Sequence, residues 1–423
     1  MKINSLLSLV LPLAVIPALI LTTQPKNNDQ PKKHIIAADN AGLTLPAGFG
    51  ADMIADNLGG ARHLAVTPQG DIYVKLSDTK DGKGILFLHQ NGDKAEVANS
   101  FGDYGGTGIT IKNGYLYASS NEAIYRYKLN DKNEVIDPAS PETIVSGLTS
   151  HRTHNSKSIV LDNEGNIYTN VGAYTNICSE FDPKGTGCPI LNIAGGIWVF
   201  KADKLNQKQS DGIRFATGLR NVVGLDWNQQ DNQLFVMQHG RDELHNLFPN
   251  IYTVHQSAIL PAECMYALKK DDNAGWPYLY YDWQTHKKMQ GPEYGGDGKK
   301  EADSKYLNPV AAYPGHYAPD GLLFYTGNQF PAKYKNGAFI AFHGSWNRAP
   351  EPQAGYCVVF QPFKNGKPDG DWEVFADGFS GSKSLAQPGD AIHRPCGLAQ
   401  GPDGSLYVSD DVKGAIYKIT YKK

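Results

Sequence analysis

Arginine and histidine recur at the ends of strand-like segments in this sequence. Arg62 and His63 precede one such segment, and His154 and Lys157 precede another. Arg220 and Asn221 lie in GLRNVVG, and His239, Gly240 and Arg241 in QHGRDEL. His343, Trp346 and Arg348 lie in FHGSWNR, and Arg394 in HRPCG. A guanidinium fork matches planar carboxylates and phosphates. A single cation at a strand end is ordinarily a solvated charge or half of a salt bridge. Six at matching places of a repeat would repel one another around a shared axis, so the set asks for an anionic partner. His154 is the candidate general base, because imidazole titrates near neutrality. Trp346 is suited to stacking on a flat ring, or to packing in a core. No G-x-S-x-G or Ser/His/Asp order is present, and no G-x-G-x-x-G opens a helix, which argues against a nucleophile-elbow hydrolase and a Rossmann cofactor site.

The elements that must position these residues repeat six times. The copies are LAVTPQGDIYV from Leu64, ITIKNGYLYAS from Ile109, IVLDNEGNIYTNV from Ile159, LDWNQQDNQLFVM from Leu225, LLFYTGNQFPAKYKNGAFIAF from Leu322 and LAQGPDGSLYVSD from Leu398. Each is an apolar strand, a turn with Asn, Asp or Gly, and a second strand, which is the hairpin signal. A third strand follows most copies: GILFLH, AIYRYKL, GIWVFKA, YCVVFQP and AIYKITY. Spacings of about 45–50 residues with several strands per copy indicate propeller blades. The expected fold is all-β, a six-bladed β-propeller, with insertions around 173–195 and 241–315. The segment 43–57 is expected to supply a strand that closes the ring, and a β-sandwich is the rival that six copies of one hairpin disfavour. Ligands of propellers sit at one end of the central channel, where the cationic residues above would meet.

The composition fits. The chain has 423 residues, with 45 Gly, 23 Tyr and 16 Phe, suited to short strands and tight turns. Its 40 basic and 43 acidic residues lack the basic excess that nucleic-acid binding needs. An apolar run from Leu6 to Leu21, after Lys2, reads as an export signal or an N-terminal anchor over 1–22. Residues 23–42 then form a flexible linker, and 43–423 the propeller domain. The expected location is therefore exported, either periplasmic or anchored to the membrane and facing the periplasm. Of the five cysteines, Cys178 and Cys188 are expected to form a disulfide, Cys357 and Cys396 are a second candidate pair, and Cys264 is left over. No C-x-x-C-H and no zinc-site spacing occur.

The motifs GLRNVVGLDW (218–227), HGRDEL (239–244), AGWPYLYYDW (274–283), FHGSWNRAP (342–350) and HRPCGLAQGPDGSLYVSDD (393–411) together resemble the sorbosone dehydrogenase family. That family is related to the soluble quinoprotein glucose and aldose dehydrogenases that use pyrroloquinoline quinone (PQQ). The resemblance spans about residues 43 to 421. It implies oxidation of an aldose, or an aldosone such as sorbosone, at the aldehyde or anomeric carbon, with electrons passed to an external acceptor. His154 of HNSK would be the base. Arg62, Lys157, Arg220, Asn221, His343, Trp346, Arg348 and Arg394 would hold PQQ, a tricarboxylic quinone that accounts for a cationic ring. Calcium would sit on backbone carbonyls of the loop with Gly240 and Arg241. Ala173 stands where the glucose-oxidising relatives carry an Asp that orients the histidine, so that orientation must come from elsewhere. Lys157 stands where Arg is commoner.

Two other functions compete. A calcium-dependent sugar lactonase would need carboxylates and amides converging on a metal, whereas the expected mouth is chiefly cationic. A carbohydrate-binding propeller without PQQ would show the arginines scattered or salt-bridged, because fold alone does not fix function.

Overall fold

The computed structural model describes residues 40–422. The proposed export segment, and the linker up to residue 39, lie outside the described residues. Six sheets form the blades, each with four antiparallel strands at its heart, and three of them add a fifth, short strand. The hairpins expected from sequence supply the two innermost strands of every blade. These pairs are Ala61–Val66 with Ile72–Lys80, Ile109–Lys112 with Tyr115–Ser119, and Ile159–Leu161 with Asn166–Val171. Val222–Asn228 with Gln233–Gln238, Pro319–Phe324 with Gly337–Phe342, and Pro395–Gln400 with Leu406–Asp410 complete the set. Each innermost strand packs against the innermost strand of the next blade, and Ala61–Val66 meets Pro395–Gln400, so the ring closes.

Closure is reinforced by hydrogen bonding between the two ends of the domain. Phe49–Ala55 pairs antiparallel with Ile416–Tyr421, in register Phe49 to Tyr421 and Ala51 to Ile419. The first strand of the domain thereby becomes the outer strand of the last blade, as 43–57 suggested. It covers the edge that Ile416–Tyr421 would otherwise present.

The core lies between blades. Alternation along each strand sends one set of side chains to each neighbour. Between the last two blades, Phe49, Phe330, Tyr334, Phe339, Phe360 and Phe375 are all buried together, with Phe49 and Phe375 edge to face at 4.9 Å. Gly337–Phe342 is buried at every residue, as befits a strand enclosed on both faces.

The insertions fall where the repeat spacing lengthens. Residues 173–195 hold a disulfide between Cys178 and Cys188 and a short 3-10 helix, Pro189–Asn192. Residues 241–315 hold the short helices Leu244–Leu247 and Val254–Ile259 and the hairpin Leu279–Asp282 with Lys287–Gln290. The candidate pair Cys357 and Cys396 is not a disulfide, and both are free and buried like Cys264. The reason is topological: Cys357 opens the third strand of the fifth blade, and Cys396 sits in the innermost strand of the sixth. Among the described residues no helix is long and apolar enough to cross a membrane.

Candidate functional site

A cavity of about 940 Å³ opens at one end of the central channel. Residues at the starts of innermost strands, and in the loops after second strands, supply its walls. Arg62, His154, Arg220, Asn221, Gly240, His343, Trp346 and Arg394 all line it. They converge although they span 333 residues of chain, because each sits at a matching place in its blade.

The cavity is not the cationic funnel that the sequence suggested. Arg62, Arg152, Arg220 and Arg394 share the walls with Asp78, Asp242, Glu243, Glu263 and Asp320. Most of the cations already have partners. Arg62 Nη1 donates to Asp411 Oδ2 at 2.8 Å and lies 3.1 Å from Asp320 Oδ2. His343 Nε2 is 2.7 Å from Asp411 Oδ1, and His239 Nε2 is 3.3 Å from Asp320 Oδ1. Arg220 donates to Asp242 Oδ2 and to the Gly240 carbonyl, both at 2.7 Å, and to the Asn176 carbonyl at 3.3 Å. His316 approaches the other Asp242 oxygen at 3.2 Å. Burial alone would raise the Asp242 carboxyl, but Arg220 and then His316 outweigh it and hold it well below the usual carboxylate range. Burial and then Arg62 act in the same two opposed senses on Asp320, which also ends far below that range. These carboxylates were missed by sequence reasoning. Asp242 and Asp411 sit inside the quoted motifs HGRDEL and VSDD, so the signal was present in residues beside the counted cations.

Arg394 is anchored differently. Its Nε and Nη2 donate to the carbonyls of His343 and Gly344, at 3.0 and 2.5 Å, and its guanidinium lies over the Tyr356 ring, 5.4 Å from the centroid.

His154 is held as a neutral ring with a defined tautomer. Its Nδ1 lies 2.5 Å from the Ala173 carbonyl. A carbonyl only accepts, so Nδ1 carries the hydrogen and Nε2 keeps its lone pair. Burial, then the nearby Arg220, lowers the ring's pKa to about 3. Ala173 thus orients the histidine through its backbone, at the position where a side-chain carboxylate was expected to be needed. His154 has φ 53°, a left-handed conformation that histidine tolerates better than most residues. Gly172 permits the close approach: a Cβ there would meet the His154 carbonyl at 2.5 Å and Asn221 Oδ1 at 3.0 Å. Asn221 Oδ1 is buried without a hydrogen-bond partner, which is costly unless a ligand donates to it.

Three predicted residues lie elsewhere. Lys157 is fully buried beneath the His154 loop, with Nζ donating to the Asn155 carbonyl at 2.7 Å, and burial lowers its pKa to about 7. Arg241 is buried in an ion pair with Glu293 at 2.5 Å. Arg348 lines a separate, adjoining pocket and donates to the carbonyls of Ala258 and Pro352, at 2.5 and 2.9 Å. Among the described residues no group of three or more His, Cys, Asp or Glu side chains is arranged to hold a metal ion.

Known proteins share this architecture. The TrAA12-like family profile matches residues 43–422. A sugar dehydrogenase of Hypocrea jecorina described as PQQ-dependent is 22% identical over 421 residues, covering 90% of this chain and 91% of that one. A PQQ-dependent pyranose dehydrogenase of Coprinopsis cinerea is 26% identical over 327 residues, which is 66% of this chain and 41% of that larger protein. Among solved structures, a Trichoderma reesei enzyme of carbohydrate-active family AA12 superposes with TM-score 0.73 at 20% identity, covering 92% of this chain and 99% of that one. The PQQ domain of the Coprinopsis enzyme, in its holo form, gives 0.68 at 20% identity, covering 89% and 97%.

Proposed function

The chain belongs to the TrAA12-like family, and from that premise we propose that it is a PQQ-dependent sugar dehydrogenase. The observation that carries the reading is His154: a half-buried, neutral imidazole on the cavity wall, with Nδ1 fixed by the Ala173 carbonyl and no protein partner at Nε2 among the described residues. The relatives whose names specify PQQ-dependent sugar oxidation support it.

The donor set fits the cofactor. Arg62 engages its carboxylates only through Nη1, and Arg394 uses only Nε and Nη2. The remaining guanidinium nitrogens are left for the carboxylates of a planar acid. Asn221 Oδ1 is free to accept from a ring N–H or a sugar hydroxyl. Arg220, with all three nitrogens engaged, acts chiefly by charge and by placing Asp242 and Gly240. When bound, PQQ supplies a two-electron acceptor for hydride from the sugar's anomeric carbon. His154 Nε2 takes the proton of the anomeric hydroxyl, and the electrons then leave to an external acceptor. The natural sugar falls within the aldoses and aldosones.

Calcium fits less well. The Gly240 carbonyl proposed as its ligand already accepts a hydrogen bond from the Arg220 guanidinium, and a cation at that oxygen would be repelled. No step is assigned to a metal.

Titration of the apo-protein with PQQ, followed by dye reduction with a panel of aldoses and aldosones, tests the reading. Saturable binding with turnover is expected. Absence of PQQ binding would overturn it.

A further inference from the structure

Trp346 is 69% exposed and stands between two cavities. It lines the main cavity and also an adjoining pocket of about 250 Å³, and Glu243 and Asn347 are shared in the same way. The four buried or half-buried features that carry the proposed chemistry, His154, Asn221, Arg62 and Arg394, line only the main cavity. The adjoining pocket is walled by His245, Asn246, Ser257 and Arg348, with apolar surface from Val254 and Pro350. Its volume is a fraction of the main one, its lining mixes polar and apolar residues, and Trp346, Glu243 and Asn347 form the wall that the two share.

That combination suits a carbohydrate ring. The C–H edges of a pyranose carry partial positive charge and pack on the electron-rich face of an indole. Its hydroxyls are satisfied by carboxylate, amide and guanidinium groups such as Glu243, Asn246 and Arg348. An anionic ligand is disfavoured by Glu243, which is exposed at the junction. Glu243 has φ 67°, and a left-handed backbone in a non-glycine residue is a form of strain that concentrates at ligand-binding positions.

We propose that the adjoining pocket is a second sugar subsite, and that the protein acts on reducing-end disaccharides or longer oligosaccharides. The reducing sugar occupies the main cavity, and the next unit lies across Trp346 into the pocket of Asn246 and Arg348. This rests on the dehydrogenase reading for the reaction, but the binding itself does not.

The experiment compares glucose with cellobiose and maltose, by calorimetric binding and by dye reduction with PQQ, in the wild type and in Asn246→Trp. Asn246 is exposed, so the larger side chain fills the pocket without disturbing the core. At least one disaccharide is expected to bind about tenfold more tightly than glucose, with Asn246→Trp abolishing that advantage and leaving glucose turnover unchanged. If disaccharides have no advantage, or Asn246→Trp leaves it intact, the subsite is wrong while glucose turnover keeps the dehydrogenase reading. If no sugar is oxidised but the disaccharide advantage is present and lost in Asn246→Trp, the subsite stands and the dehydrogenase reading falls.

Discussion

At its mouth the central channel is a charged network, whereas further along the same innermost strands it narrows to about 220 Å³ between Leu64, Val66, Ile111, Val160, Leu322 and Leu398. The two regions are built from the same six strands. They differ because polar residues cluster where each innermost strand begins, and aliphatic ones where it continues. Arg62 and Leu64 are two residues apart, as are Asp320 and Leu322. The fold therefore supplies a rigid ring, and the chemistry depends on what the strand starts carry.

The sharpest break in the comparison is at the mouth. His154→Ala is expected to lower turnover by about 10²–10⁴-fold, the usual contribution of a positioned base, while PQQ still titrates. Retained turnover would remove His154 from the reaction. Gly172→Ala should act on the same residue indirectly, because the added Cβ presses on the His154 backbone. Its loss of turnover should come with little change in PQQ affinity, whereas a change confined to affinity would mean that the pressure falls on Asn221 instead.

A second test sets one substitution in each region side by side. Leu322→Ala should destabilise the protein by about 2–5 kcal/mol through the cavity it leaves, without altering PQQ binding. Asp320→Asn removes one of the two carboxylates holding Arg62 and should cost about 3 kcal/mol, near the low end for a broken buried pair, because Asp411 remains. It should also weaken PQQ binding, since Arg62 loses its orientation. Denaturant unfolding alongside cofactor titration separates the two. Equal effects on binding would mean that the mouth and the narrow section are not functionally distinct.

The fold was legible because blades repeat locally. Most of the hairpins follow from alternation and turn residues within about a dozen positions, the fifth being stretched to 322–342 by its longer turn. The third strand of the fourth blade, Glu263–Leu268, escaped notice because the inserted helices separate it from Gln233–Gln238. The site was half legible. Repeat position brought the cations together. Arg220 meets Asp242 at the end of its own hairpin, but Arg62 takes its counter-charges from other blades, meeting Asp411 across 349 residues. Ion pairs of that kind leave no local pattern. Arg348 was misplaced for a related reason. It belongs to a motif that reaches the cavity at His343 and Trp346, yet its side chain is drawn to the Ala258 and Pro352 carbonyls instead.

The smallest expected effect concerns protons. In the narrow section Asp226 is half-buried, and its loss of hydration pushes its pKa up to about 7, although backbone N–H groups of Phe324 and Trp227 partly counter this. An unfolded Asp titrates near 3.9. Between those values the folded chain binds a proton that the unfolded chain does not. That stabilisation is complete below about pH 4 and is lost as pH rises through 7. His154 at the mouth has the opposite sense: it stays neutral when folded down to about 3, whereas an unfolded histidine protonates near 6.5, so its contribution is present above 6.5 and is lost as pH falls. Relative to Asp226→Asn, the wild type should therefore lose stability from pH 5 to pH 7, by at most about 1.4 kcal/mol per pH unit. Relative to His154→Ala, it should gain stability over the same range. Urea midpoints of the three proteins at pH 5, 6 and 7 measure both slopes. Slopes of the same sign would mean that the two ends of the channel do not differ in the way their burial and charge require.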